Sequence, residues 1–324
     1  MIISRTPLRV SFCGGGSDLP EFYRKHSGAV LSMSIAKYVY LSMHDYFESD
    51  GYLLKYSKTE TVRKTSEIEH RILRQVFSDY GIKGVDFNSS ADIPAGTGLG
   101  SSSAFTVGLL NLCNAYQSRY EPRNVLAAKA CQIEIEKLGE PIGKQDQYGC
   151  ALGGLNFIEF HTDDSVTCEA VPLSHQNRRR LEDGLVMFYL GGTRSASAVL
   201  KEQTEQLMSN KSVESNLKAM VRQARSLRAE ITTDIDVIGP YLREGWERKR
   251  SLASGISNPK IEDAYKRAME AGATGGKLLG AGSAGFLLVY APDGARDSVC
   301  TALSEYRPYD VRLDPIGTTI VYSE

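Results

Sequence analysis

The residues best suited to chemistry lie in one run, Ala91-Asp92-Ile93-Pro94-Ala95-Gly96-Thr97-Gly98-Leu99-Gly100-Ser101-Ser102-Ser103-Ala104. A strand-like stretch ends near Ser90, and the glycines and serines follow. An apolar helical pattern then starts at once with Phe105, Val107, Leu109, Leu110 and Leu112. Glycine lets a backbone come close to a ligand, and the first amides of a helix have no partner within it. Such amides, at the positive end of the helix dipole, make a seat for a phosphate. The serine hydroxyls add donors and a ligand suited to magnesium.

Other glycine patterns argue less. The string G-x-x-x-x-G-K-[ST] of the ordinary phosphate loop does not occur. Gly280-Ala281-Gly282-Ser283-Ala284-Gly285 has dinucleotide-type spacing, but it leads into a strand-like segment rather than a helix. Hydride transfer is therefore disfavoured.

The surrounding pattern must bring these pieces together. Strands are expected at 2–4, 9–13, 29–33, 38–44 and 52–56, with a short helical piece at 19–25. A helix at 67–80 precedes the strand 85–89 that delivers the glycine run. Helices follow at 102–118 and 122–137, then a strand at 153–160. The second half opens with an apolar strand at 184–190. Long amphipathic helices follow, one carrying Leu217, Met220, Val221, Ala224 and Leu227 at helical spacing. Asn258-Pro259 signals another helix start. The strand 286–290, a helix at 297–306 and two strands close the chain. Strands and helices that segregate rather than alternate indicate α+β architecture in two domains, 1–183 and 184–324.

Bulk composition narrows the class. Among 324 residues the net charge is −1 and 42% are hydrophobic, so nothing draws the chain to nucleic acid or an anionic membrane. Arg178-Arg179-Arg180 and Arg248-Lys249-Arg250 sit among glutamates and read as solvated helix faces. The six cysteines have no C-x-x-C spacing, which suits reduced thiols and argues against zinc. No signal-peptide pattern opens the chain and no apolar run approaches 18 residues, so a soluble, cytoplasmic protein is expected. Tyr116, Tyr120 and Trp246 read as core packing. The five histidines show no ligand spacing or triad, and none is assigned a role.

Three ordered segments together resemble the GHMP kinases, the small-molecule kinases that include galactokinase, homoserine kinase and mevalonate kinase. Thr6-Pro7-Leu8-Arg9-Val10-Ser11-Phe12-Cys13-Gly14 is similar to their first motif, residues 94–104 to the second and 277–286 to the third. Gly14-Gly15-Gly16-Ser17-Asp18-Leu19-Pro20 and Gly143-Lys144-Gln145-Asp146-Gln147-Tyr148 resemble the branch acting on D-glycero-D-manno-heptose 7-phosphate; fucokinases share part of the pattern.

The resemblance implies a fold of two parts. An N-terminal α+β domain would hold the phosphate loop, and a ferredoxin-like C-terminal domain would close the cleft. It also implies ATP and Mg2+ as cofactors and transfer to the anomeric hydroxyl of the heptose 7-phosphate, for nucleotide-activated heptose synthesis. Gly96, Gly98, Gly100, Ser101, Ser102 and Ser103 would hold the nucleotide phosphates. Asp146 would be the base and Arg9 would keep it ionised. Glu134 and Ser102 would bind the metal. Glu136 competes with Glu134 but lies about 200° away around a helix, and Ser101 competes with Ser102.

Asp18, with Gly15 and Gly16, would meet the sugar. Galactokinase carries a glutamate-histidine pair where this chain has Gly15-Gly16, which speaks against galactose. Arg194 first, and Lys144 second, would take the 7-phosphate. Gly280 and Gly282 would shape the cleft by backbone packing. The partner expected is a small sugar phosphate, not nucleic acid or membrane, with a homodimer left open. Fucose or another sugar as acceptor is the alternative, and a catalytically silent nucleotide-binding regulator is a distant one.

Overall fold

A computed structural model describes every residue except 49, 193–200, 203, 208–209, 253–254, 281, 283 and 293. The frame is a pair of long antiparallel strands, β1 (Ile2–Cys13) and β2 (Gly28–Asp45). Four separate short strands were expected here. Instead each strand runs through, with register shifts between Pro7 and Leu8 and between Ser11 and Cys13. Proline has no N–H for a ladder, and a bulge lets the strand continue past it. The short helix α1 (Pro20–His26) joins them, starting on a proline at its first turn.

The first sheet adds β3 (Tyr52–Lys55), β4 (Thr59–Val62) and β5 (Val85–Ala91), reached through α2 (Arg71–Tyr80). Next come α3 (Ser101–Tyr116), α4 (Arg123–Cys131) with a π-helical turn at Gln132–Lys137, and α5 (Gln145–Ala151). Strands β6 (Leu155–Phe160) and β7 (Val166–Ala170) extend the sheet from β2. Helix α3 packs against β1 and β2 and is buried from Ser103 to Leu110, so it runs through the core rather than over it. A helix apolar on nearly every side needs such a place.

After α6 (His175–Gly184) comes a second, four-stranded sheet in the order β11-β8-β10-β9. Its strands are β8 (Leu185–Tyr189), β9 (Gly275–Leu278), β10 (Phe286–Tyr290) and β11 (Pro308–Asp310). Helices α7 (Lys211–Glu230), α8 (Ile238–Arg250), α9 (Pro259–Glu270) and α10 (Ala295–Ala302) accompany it. Helix α8 packs on both β9 and β1 and so ties one sheet to the other. The final strand β12 (Thr319–Ser323) returns to pair with β1. We propose the division into 1–183 and 184–324 as the domain organisation, with β12 as an arm of the second part completing the first sheet.

Trp246 is fully buried beside Tyr265. Tyr116 packs against the core's edge and donates its hydroxyl to Asp45. Tyr120, expected in the core, is 84% exposed, because α3 has already ended and the chain is turning towards Pro122. Among the described residues no helix is long and apolar enough to cross a membrane.

Candidate active site

A cavity of about 480 Å³ opens between the two sheets. Strand β5 ends at Ala91, and the glycine run forms its wall before α3 begins at Ser101. Gly98 sits at φ +87°, and Gly280 from the far end of the chain lies against it. A Cβ on Gly280 would stand 2.4 Å from the Gly98 Cα, so this seam accepts only glycine. The late glycine segment thus packs backbone to backbone on the early one.

Arg9 locks the same loop. Its backbone N–H donates to the Leu99 carbonyl at 3.0 Å and its Nη1 to the Gly98 carbonyl at 2.8 Å. Its Nε and Nη2 reach Asp146 Oδ1 at 2.8 and 2.7 Å. Arg9 is 4% exposed. Burial opposes its charge, but the Asp146 carboxylate outweighs that and the net shift of its pKa is upward. Asp146 lies in the first turn of α5, where a negative charge also suits the helix dipole.

Asp18 is buried beside them. Its oxygens accept from the Gly16 amide at 3.0 Å, the Gln145 amide at 3.2 Å and the Gln145 side-chain amide at 3.1 Å. Burial, with help from neighbouring Asp146, pushes its pKa up to about 6. Gly15 and Gly16 line the cavity next to it.

Glu134 is 1% exposed and projects from the π-helical turn, while Glu136 faces solvent. Its carboxylate accepts from Ser102 at 2.6 Å, Ser103 at 3.0 Å and the Gln147 amide at 2.7 Å. Burial raises its pKa despite these bonds. The Ser101 hydroxyl, also on the cavity, has no hydrogen-bond partner among the described residues.

One expected substrate residue is placed otherwise. Lys144 was expected to face the sugar phosphate, but its ammonium turns away from the cavity. It donates to the Asp164 carbonyl at 2.8 Å and lies over the Tyr23 ring. Lys144 caps α5 from just before its first turn and points out, while Gln145 and Asp146 in that turn line the cavity. Arg194 lies outside the described residues.

Other residues line the cavity without having been expected. Lys249, read as part of a solvated face, is buried where the last turn of α8 meets β9. Its Nζ donates to the Leu278 and Gly280 carbonyls. Lys277 is buried too, and donates to the Ser11 and Phe12 carbonyls at 2.9 and 3.1 Å. His70 stacks on Phe105 and, with Arg71 and Ile72, lines the cavity. Lys277 opens the third motif and could have been marked from it. Nothing local distinguishes Lys249 from the arginines on either side.

A glycine-rich loop at a helix start, a buried carboxylate and an arginine-held aspartate around one cleft define a phosphoryl-transfer site. The sequence comparisons agree: the N-terminal domain profile of the GHMP kinases matches residues 62–154, and their C-terminal profile matches residues 217–308. The chain belongs to the GHMP kinases and is a phosphotransferase with an alcohol acceptor. It is 27% identical to the D-glycero-alpha-D-manno-heptose 7-phosphate kinase of Campylobacter jejuni, over 95% of this chain and 94% of that protein. It is 27% identical to the bifunctional fucokinase/GDP-fucose pyrophosphorylase of Arabidopsis thaliana, over 95% of this chain and 31% of that protein. The crystal structure of a D-glycero-D-manno-heptose 1-phosphate kinase from Bacteroides thetaiotaomicron superposes with a TM-score of 0.82 at 23% identity, covering 100% of both chains. These relatives support a sugar kinase within the family.

Proposed function

We propose that this protein transfers the γ-phosphoryl group of ATP to the anomeric hydroxyl of D-glycero-D-manno-heptose 7-phosphate, giving the 1,7-bisphosphate and ADP. The observation that carries the reading is the Asp146 carboxylate held by Arg9, which also grips the phosphate loop through Gly98 and Leu99. One side chain thereby couples the base to the phosphate seat. The likeness to the Campylobacter heptose 7-phosphate kinase supports the acceptor.

In this reading the loop amides and Ser101, Ser102 and Ser103 hold the nucleotide phosphates. Asp146 takes the proton of the C1 hydroxyl as that oxygen forms a bond to the γ-phosphorus. The bond from the γ-phosphorus to the β–γ bridging oxygen breaks, and ADP leaves with that electron pair. Arg9 fixes the aim of Asp146 through Nε and Nη2. Asp18 accepts from the sugar hydroxyls beside Gly15 and Gly16. The cavity end lined by His70, Ile72 and Leu138 takes the base.

Magnesium fits the oxygen-only set of Glu134 and Ser102, because a divalent cation would offset the burial that raises the Glu134 pKa. When bound it supplies neutralisation of the nucleotide's phosphate charge.

Coupled ADP release across free and phosphorylated sugars tests the reading. The heptose 7-phosphate should show the highest kcat/KM, with phosphorylation at C1 seen by phosphorus NMR. Preference for free fucose would replace it with the second reading, which the equally similar Arabidopsis fucokinase favours. Asp146→Asn should lower kcat by about 10²- to 10⁴-fold while ATP still binds; near-normal turnover would remove Asp146 from the base role.

A further inference from the structure

Two cations at the cavity are not answered by any carboxylate of their own. Lys277 bonds the Ser11 and Phe12 carbonyls, and Lys249 bonds those of Leu278 and Gly280. An ammonium carries three donors, so each keeps one beyond these bonds. Among the described residues neither lysine forms an ion pair. The acid whose charge reaches Lys249, Asp146, is already engaged by Arg9. The lysines also feel each other and Arg9, so like charges are gathered in a buried place. That arrangement is costly unless an anion completes it.

Their main-chain anchors locate the two lysines on the cavity wall. Lys277 is anchored on Ser11, and a Cβ on Gly15 would stand 3.8 Å from the Ser11 hydroxyl and 3.7 Å from the Gln145 amide nitrogen. Gln145 in turn holds Asp18. Lys277 therefore borders the corner where the sugar is placed, and Lys249, held on Gly280 against Gly98, stands between that corner and the phosphate loop. In that corner the Ser11 hydroxyl and the Gln145 side-chain carbonyl are buried without a hydrogen-bond partner among the described residues.

We propose that Lys249 and Lys277 form the subsite for the acceptor's own phosphate, and so select a sugar phosphate over the free sugar. This rests on the heptose 7-phosphate reading above and supplies the cations that Lys144 does not. Desolvation supports it: burial lowers the pKa of both lysines, that of Lys277 to about 8, and a dianion between them would restore their charge.

The test compares kcat/KM for D-glycero-D-manno-heptose 7-phosphate and for the unphosphorylated heptose in the wild type, Lys249→Met and Lys277→Met. Thermal melting and ATP binding establish that each variant is folded. The preference for the phosphorylated sugar should fall roughly tenfold to hundredfold per lysine, through KM for that sugar. Equal losses on both sugars, or an unchanged preference, overturn the proposal. A wild type that prefers the free sugar sinks the substrate reading as well; a wild type that prefers the 7-phosphate, with variants of unaltered preference, sinks the lysine assignment alone. Should a variant not fold, inorganic phosphate is tested on the wild type. Inhibition competitive with the sugar phosphate and not with ATP supports the subsite; inhibition that is absent, or competitive with ATP, overturns it.

Discussion

Two charged clusters face the same cavity and are built in opposite ways. Around Arg9 and Asp146 the charges are matched, and at Glu134 both carboxylate oxygens accept from neighbouring side chains. Around Lys249 and Lys277 the cations meet, among the described residues, main-chain carbonyls and no carboxylate. A matched cluster holds its geometry before any ligand arrives, which is what a base and a phosphate seat need. An unmatched one carries a standing electrostatic cost that a bound anion can relieve. The contrast suggests that the first cluster sets the rate and the second sets the choice of acceptor.

Breaking the matched cluster should have the largest effect. Arg9→Met removes the tether between phosphate loop and base, and leaves the carboxylate unpaired. Turnover should fall by at least about 100-fold, and the melt should show a loss of about 3 kcal/mol. Loss of turnover with an unchanged melt would mean that Arg9 acts on substrate alone.

Gly280→Ala strikes the seam joining the two regions. Its new Cβ would sit 2.4 Å from the Gly98 Cα at a residue with φ +73°, so stability should drop by about 2 kcal/mol. Both clusters should be affected together, with KM rising for ATP and for acceptor. A change in only one of the two would show that the clusters are not joined through this seam.

A smaller and sharper effect is expected at Asp18. Its pKa is raised to about 6. As pH falls through that value the carboxyl gains a proton, loses its charge and accepts more weakly from a sugar hydroxyl. The kcat/KM for the acceptor should therefore decline on the acid side, by roughly tenfold, with an inflection near 6. Asp18→Asn should abolish that inflection; if it persists, another group titrates there.

How much of the site was legible depended on distance along the chain. The glycine-serine loop was plain because strand, turn and helix start are contiguous, and local propensity suffices to place them. The Arg9–Asp146 pair spans 137 positions, and it was legible only through the resemblance to a family. Lys144 was misjudged because it precedes α5 as its cap, where helical spacing does not set the direction of a side chain. Lys249 was misjudged because a charged triplet among glutamates looks solvated until packing buries its middle member. The unbroken β1 was hidden by Pro7, which the strand passes at a bulge that no single residue announces.

The amino-acid sequence by itself determined the glycine-serine loop at a helix start, the α+β class and the membership of a kinase family, because these follow from short-range pattern and ordered motifs. Tertiary structure alone decided that the late glycines close on the early ones, that Lys144 leaves the cleft and that Lys249 and Lys277 enter it. Those outcomes depend on how helix α8 is wedged between two sheets, and contacts between segments so far apart are set by the packing of the whole chain.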